Sequence, residues 1–169
     1  KMNDHGSLIN LKNGIIDLDE QASPLTLIPH SPDYYFTSAV NIAYDPEATD
    51  ASYFIESLQA IFKNHPAHPE PYDQESVNSI IRLGGYILYP QNKIKKMFVF
   101  FGGGANGKSL IMEHVFKKFF TKENMSALSL NTLSSESSFA RHKLLSSRIN
   151  FATEQKAGDI ESEELKKII

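Results

Sequence analysis

Residues 102–109 are Gly-Gly-Gly-Ala-Asn-Gly-Lys-Ser, a complete match to the phosphate-binding pattern G-x-x-x-x-G-K-[ST]. In such a loop the glycines let backbone amides approach phosphate oxygens without Cβ collisions. The lysine places an ammonium on the β- and γ-phosphates, the serine hydroxyl reaches Mg²⁺, and the following helix points its positive dipole end at the anion. The stretch therefore predicts a nucleoside triphosphate site formed by Gly102, Gly103, Gly104, Ala105, Asn106, Gly107, Lys108 and Ser109.

The sequence on either side of the loop is typical of an α/β nucleotide-binding core. The continuous apolar run Met97–Phe101 precedes the loop and predicts a parallel strand that is buried on both faces. After the loop, apolar residues recur at helical spacing; they are Ile111, Met112, Val115, Phe116, Phe119 and Phe120. Strand, glycine loop and amphipathic helix in that order are the context that this motif requires. The predicted fold class is therefore α/β, with a P-loop nucleotide-binding core.

The composition limits the class of protein. The chain has 169 residues, of which 41% are hydrophobic, enough for one ordinary domain or two small ones. It contains no cysteine, which excludes disulfide bonds and thiolate zinc sites. Its net charge is −3, whereas a stand-alone nucleic-acid binder is typically basic. No apolar run reaches membrane-spanning length and no signal peptide is evident, so we expect a cytoplasmic protein with no membrane partner.

Residues 1–90 predict a small mixed domain that is mainly helical. Asn13-Gly14 stands between two apolar stretches, residues 8–11 and 15–18, a pattern typical of a β-hairpin because both residues of the dipeptide tolerate positive φ. Residues 25–28 predict a further strand, and the proline-punctuated stretch after it predicts irregular structure.

Two helices are predicted in the rest of this domain. The first is capped by Asp50 and ends near Asn64, and its apolar face consists of Tyr53, Phe54, Leu58, Ile61 and Phe62. The second is capped by Asp73, stops before Pro90, and buries Val77, Ile80, Ile81, Ile87 and Leu88. Within it, Gly84-Gly85 predicts that another element approaches closely.

Residues 91–169 predict the start of the nucleotide-binding domain. Short strands are expected at residues 127–130 and 149–152, with a polar loop and a helical turn between them. Glu154 follows the second strand, and α/β sheets bind ligands at the carboxyl ends of their strands. Since the final residues lie inside a predicted helix, we expect this domain to be truncated at Ile169.

Five stretches together resemble the phage and plasmid primase-helicase family, whose motor is a superfamily-three helicase of the ring-forming ATPase class. In chain order they are Asn13–Asp17, Pro29–Tyr35, Tyr44–Ala48, Gly85-Tyr86 and the glycine loop with Asn106 before Gly107. The early stretches are weak individually, but their order and spacing make the set specific. The resemblance runs almost from end to end of the chain.

The resemblance implies an ATP-dependent replicative helicase with ATP and Mg²⁺ as cofactors. It makes residues 102–109 the Walker A loop and Glu154 the Walker B acid. Lys108 and Glu154 would then be catalytic, and Ser109 and Glu154 would hold the metal. Many members pair two acids where this chain has Thr153-Glu154, so the choice between metal ligand and catalytic base stays open for Glu154. We expect the Lys108 side chain to face solvent until phosphate arrives.

The same resemblance implies partners. It predicts a homo-oligomeric ring with ATP sites between subunits, acting on single-stranded or forked DNA through regions that lie mostly beyond this chain.

Two other functions stay open from the residues. The loop also suits a P-loop kinase, in which the same cradle passes phosphate to an acceptor, although the sequence offers no candidate acceptor site or lid. The second is a non-catalytic oligomerisation or docking module with a vestigial nucleotide site. Lys108 and Ser109 argue against that function because a vestigial site has no chemical need for them.

Three further groups have ordinary structural interpretations. His65 and His68 flank a short proline-containing stretch and are more typical of a solvated loop than of a metal site. Arg141–Lys143 is typical of an exposed helical face rather than of a phosphate contact. Tyr34–Phe36 favours core or interdomain packing over stacking on nucleic-acid bases.

Overall fold

The structure is a computed structural model that describes residues 6–20, 25–63, 71–91, 94, 96–103, 105–134 and 142–152. It is mixed α/β and divides into two compact units. The first consists of Lys1–Gln91 with Phe100–Phe119, and the second of Asn92–Val99 with Phe120–Ile169. The sequence divides the chain at residue 91, whereas the structure groups the loop and its helix with the first unit. The domain bounds 1–90 and 91–169 stay a prediction.

A three-stranded antiparallel sheet opens the first unit. Its strands are β1 (Leu8–Leu11), β2 (Gly14–Asp17) and β3 (Leu27–Ile28), in the spatial order β1-β2-β3. The predicted hairpin and the predicted strand near residues 25–28 are both confirmed.

The turn of the hairpin differs from the prediction by one residue. Lys12 and Asn13 form the turn, and neither has a positive φ. Gly14 is the first residue of β2, pairs with Leu11 and has φ of +157°. A Cβ there would lie 2.9 Å from Leu27 Cδ2, so strand packing requires this glycine.

Two helices follow; the predicted cap at Asp73 is confirmed, whereas Ala51 and not Asp50 is the N-cap residue of the first helix. The helices are α1 (Ser52–Ile61) and α2 (Gln74–Leu88). Asp50 accepts a hydrogen bond from the first amide of α1 at 2.8 Å. Asp73 accepts from two amides of the first turn of α2 at 3.0 and 3.2 Å. Among the described residues, no helix has both the length and the apolar character needed to span a bilayer.

Part of the predicted helix burial is wrong. Ile80 is buried in α2, but Ile81 is 41% exposed, because neighbouring residues of a helix point about 100° apart. Tyr53 in α1 is 84% exposed, whereas Leu58, five residues further along, is buried. Each helix therefore has apolar residues on its exposed side as well as on the side that faces the core.

The helix predicted after the glycine loop is present and contains three kinds of turn. α3 (Lys108–Leu110) is followed by a π-helical turn, Ile111–Val115, and by a 3₁₀ turn, Phe116–Phe119. A Cβ on Gly84 of α2 would lie 3.6 Å from the ring of Phe116. The approach predicted at this glycine pair is therefore confirmed at Gly84, where the helical segment after the loop is in contact, whereas a Cβ on Gly85 would meet nothing within 4 Å.

The loop helix belongs to the core of the first unit. The most buried side chains of this unit come from the sheet, the irregular stretch, both long helices and the loop helix; they are Ile15, Val40, Leu58, Val77, Ile111 and Phe116. The amide of Asn41 donates to the carbonyl of Phe119 at 2.7 Å. The same unit also contains a 3₁₀ turn at Pro32–Tyr34 in the stretch predicted to be irregular.

The strand predicted at residues 97–101 is wrong. No strand is present between residues 96 and 103, and Val99 and Phe101 are 71% and 97% exposed. A buried parallel strand needs a hydrogen-bonded neighbour and cover on both faces. In the described part of the chain, β1 to β3 form one sheet and the two strands of the second unit pair with each other.

The second unit contains a short parallel pair. β4 (Met125–Ser126) pairs with β5 (Ile149–Asn150), which confirms the strand predicted at residues 149–152. A 3₁₀ turn at Lys122–Asn124 precedes β4, and another at Lys143–Ser146 occupies the predicted helical turn.

The strand predicted at residues 127–130 is wrong, because Leu130 begins a helix. That helix is α4 (Leu130–Ser134). The hydroxyl of Ser129 accepts a hydrogen bond from the amide of Thr132 at 3.1 Å, the bonding pattern of a helix N-cap. Ser129 therefore acts as a helix N-cap, which favours a helix over a strand in the residues that follow it.

Candidate nucleotide phosphate site

The backbone of the glycine loop turns sharply at three described residues. Gly102, Ala105 and Gly107 have φ of +154°, +56° and +79°. Ala105 is one of two described non-glycine residues with positive φ, a conformation that costs about 1–2 kcal/mol for a residue with a Cβ. Strained backbone of this kind persists where the surrounding structure holds it, and it is common in loops that bind ligands.

A contact explains one of the glycines. A Cβ on Gly107 would lie 2.6 Å from Ile61 Cγ1, far below van der Waals contact. A Cβ on Gly102 would lie 2.3 Å from Asn106 Nδ2, which is the end of a side chain that can rotate away. By contrast, a Cβ on Gly103 would meet no heavy atom within 4 Å. The C-terminal end of α1 thus packs directly against the last glycine of the loop.

Lys108 lies over the loop and is bonded to it. Its ammonium donates to the carbonyls of Gly102 and Gly103 at 2.9 and 2.8 Å, and to Asn106 Oδ1 at 2.6 Å. An ammonium has three N–H donors, so this set of acceptors engages all of them. The residue is half-buried, and the predicted solvent-facing side chain stays a prediction; the structure adds that the curved loop presents its own oxygens to the lysine.

Ser109 occupies the second position of α3 and is exposed. Gly107 is the N-cap residue, and the first backbone hydrogen bond of the helix runs from the amide of Ile111 to the carbonyl of Gly107 at 3.1 Å. The earlier amides of a helix have no partner inside it and are available to an anion. The serine hydroxyl and these amides therefore lie on the chain segment that follows the lysine.

The structure brings together four of the predicted site residues, Gly102, Gly103, Asn106 and Lys108, through the hydrogen bonds of the lysine. Gly104 and Glu154 lie outside the described residues. β5 is present before Glu154 and Phe151 is buried, and the predicted role of the acid stays a prediction.

Sequence reasoning missed one residue of the site, Ile61, and one contact of another. It placed Asn106 in the site without a partner, although its oxygen is the side-chain acceptor for Lys108. It placed Ile61 on the apolar face of a helix without its contact to Gly107. The motif leaves the Asn106 position unconstrained, and the Ile61 contact joins residues 46 positions apart, so neither follows from a local pattern.

The other candidate groups give no second site. His65, His68 and Arg141 lie outside the described residues, which contain no cluster of three or more metal-ligating side chains. The rings of Tyr34 and Phe36 lie 5.9 Å apart, whereas Tyr35 is 70% exposed. A shallow cleft of about 340 Å³ is lined by Asn10, His30, Ser31, Pro32, Tyr35 and Phe36.

Comparison with known proteins bears on the N-terminal part of the chain. The family model described as D5 N terminal like matches residues 1–63, which include β1 to β3 and α1. The match supports the primase-helicase family, which the sequence motifs also resemble; three of those motifs lie within the matched residues. It ends before the glycine loop begins. No curated protein matches this chain.

Proposed function

We propose that this chain is part of an ATP-dependent replicative helicase of the phage and plasmid primase-helicase type. Residues 102–109 bind the triphosphate of ATP, and cleavage between the β- and γ-phosphates drives translocation on nucleic acid. The observation that carries the proposal is the position of Lys108, whose ammonium lies on the carbonyls of a loop with three positive-φ residues. The family match at residues 1–63 supports the same assignment from a separate part of the chain.

Each residue has a distinct task in this proposal. Lys108 neutralises charge that develops on the phosphates during transfer. The hydroxyl of Ser109 and the carboxylate of Glu154 suit Mg²⁺, which prefers oxygen ligands. The metal supplies further charge neutralisation at the bridging oxygens. In a ring, an arginine from a neighbouring subunit would complete the site and contribute roughly 10³-fold or more in rate.

Hydrolysis tests this function most specifically. A protein extended beyond Ile169 is expected to hydrolyse ATP faster with single-stranded DNA, without forming a phosphorylated organic product. The 169-residue chain alone is expected to turn over very slowly wherever no neighbouring subunit supplies an arginine to the site. Transfer of phosphate to a small-molecule acceptor would instead favour the kinase. Helicase-like turnover by the 169-residue chain would contradict the proposal.

Glu154→Gln separates the two roles of the acid. In the extended protein we expect this variant to keep nucleotide binding and to lose turnover, because the amide cannot polarise the attacking water. Binding of Mg²⁺-nucleotide and hydrolysis are measured on the same preparation. A parallel fall in Mg²⁺-dependent binding would make Glu154 a metal ligand, and undiminished hydrolysis would show that Walker B lies elsewhere.

A further inference from the structure

The side chain of Asn106 occupies the space over Gly102. Its Nδ2 atom lies 2.3 Å from the position that a Cβ on Gly102 would take, and Lys108 Nζ lies 3.5 Å from the same position. Its Oδ1 atom accepts from the Lys108 ammonium at 2.6 Å. The amide group of Asn106 and the ammonium therefore converge on the part of the loop where the absence of a side chain leaves room.

The three acceptors of Lys108 differ in how easily they exchange. Two are backbone carbonyls, at Gly102 and Gly103, which are fixed by the course of the loop. The third belongs to a side chain that rotates about two single bonds without moving the backbone. A phosphate oxygen is also an acceptor, and its negative charge makes a stronger hydrogen bond to an ammonium than a neutral amide does. A phosphate that reaches Lys108 would therefore displace Asn106 first.

We propose that Asn106 is a positioning residue that holds Lys108 on the loop carbonyls and gives up its place to a phosphate oxygen of the nucleotide. This inference rests on the proposed function, since it concerns the same site. Asn106 keeps the ammonium extended over the loop carbonyls before the nucleotide arrives. Its side chain competes with the nucleotide for one donor and for the space over Gly102.

Two substitutions change this competition in opposite directions. Asn106→Ala removes the competing acceptor, and we expect the dissociation constant for Mg²⁺-ATP to fall between about threefold and tenfold, because a hydrogen bond to a charged group no longer has to be exchanged. Asn106→Asp keeps the shape but adds a carboxylate that pairs with Lys108 and repels phosphate. We expect it to raise the dissociation constant about tenfold or more. A general loss of loop structure would weaken binding in both variants.

The experiment titrates Mg²⁺-ATP into the native 169-residue chain, the two Asn106 variants and Asn131→Asp, with binding followed by calorimetry. Asn131 is an exposed residue of α4, so its substitution changes the net charge equally and is expected to leave binding at the native level. Opposite shifts for the two Asn106 variants support the proposal. Weaker binding in Asn106→Ala would overturn it, because the asparagine would then contribute to nucleotide binding.

A second measurement separates this inference from the proposed function. The ¹H–¹⁵N signal of the Lys108 ammonium is recorded without nucleotide in the native chain and in Asn106→Ala. We expect slow proton exchange in the native chain and faster exchange in the variant, where one donor meets water. This result would support the hydrogen bond from Lys108 to Asn106 even if no variant binds ATP and the proposed function is wrong. Identical exchange in the two proteins would overturn the inference.

Discussion

Lys108 shows how far a motif can predict a single residue. The pattern G-x-x-x-x-G-K-[ST] assigned Lys108 to phosphate chemistry, and the curved backbone around it supports that assignment. The pattern did not predict the resting position of the side chain on Gly102, Gly103 and Asn106. That position depends on loop dihedral angles and on the asparagine, which the motif leaves free.

Gly107 gives a direct test at the scale of one residue. We expect Gly107→Ala to lower the free energy of unfolding by at least about 1–2 kcal/mol, because φ is +79° and the new Cβ would lie 2.6 Å from Ile61 Cγ1. Urea denaturation measures the change. Gly103→Ala is the matched control, since its Cβ would meet nothing within 4 Å and its φ is not positive.

The contact itself is tested by a double-mutant cycle. Ile61→Ala removes the colliding atoms, so part of the cost of Gly107→Ala should disappear in the Ile61→Ala background. Additive effects of the two substitutions would show that α1 does not press on the loop, and that the cost arises from the backbone alone.

At the scale of elements, local features were predicted well. The hairpin and the cap at Asp73 depend on neighbours in sequence, and the structure confirms them. The strand predicted at residues 97–101 depends on partner strands and on cover from other elements. The apolar sequence indicates only that this stretch could be buried. Composition alone could not decide whether a partner strand lies beside it in the described structure.

The cap of α2 supports a quantitative prediction. Asp73→Ala is expected to lower the free energy of unfolding by about 1 kcal/mol, with about 2 kcal/mol as the upper limit, because two first-turn amides lose their acceptor. Thermal or urea unfolding measures it. Gln74→Ala changes the exposed neighbouring residue and should cost less than about 0.5 kcal/mol. Equal costs would mean that Asp73 does not act as the cap.

At the scale of the whole molecule, the exposed apolar run predicts association. Met97, Phe98, Val99 and Phe101 are 46%, 47%, 71% and 97% exposed, and exposed apolar side chains promote contacts between molecules. We expect sedimentation of the 169-residue chain to show monomers and concentration-dependent association without one stoichiometry. Phe101→Lys should reduce this association and leave the free energy of unfolding nearly unchanged.

A homogeneous hexamer of the 169-residue chain would contradict this expectation. It would show that the N-terminal part drives ring assembly, whereas the proposed function assigns assembly to a complete ATPase with its trans-acting elements. The Phe101→Lys variant distinguishes non-specific association from a specific ring. A ring that forms through other surfaces would persist in this variant.

The central claim is that residues 102–109 bind nucleotide phosphates through Lys108. The most direct measurement compares Mg²⁺-ATP binding to the native chain and to Lys108→Ala by chemical-shift perturbation of the backbone amides, with Lys118→Ala, an exposed lysine, as control. The account predicts shifts concentrated at residues 102–110 in the native chain and in the control, and their loss in Lys108→Ala. Shifts that persist unchanged in Lys108→Ala, or that fall outside the loop, would contradict it.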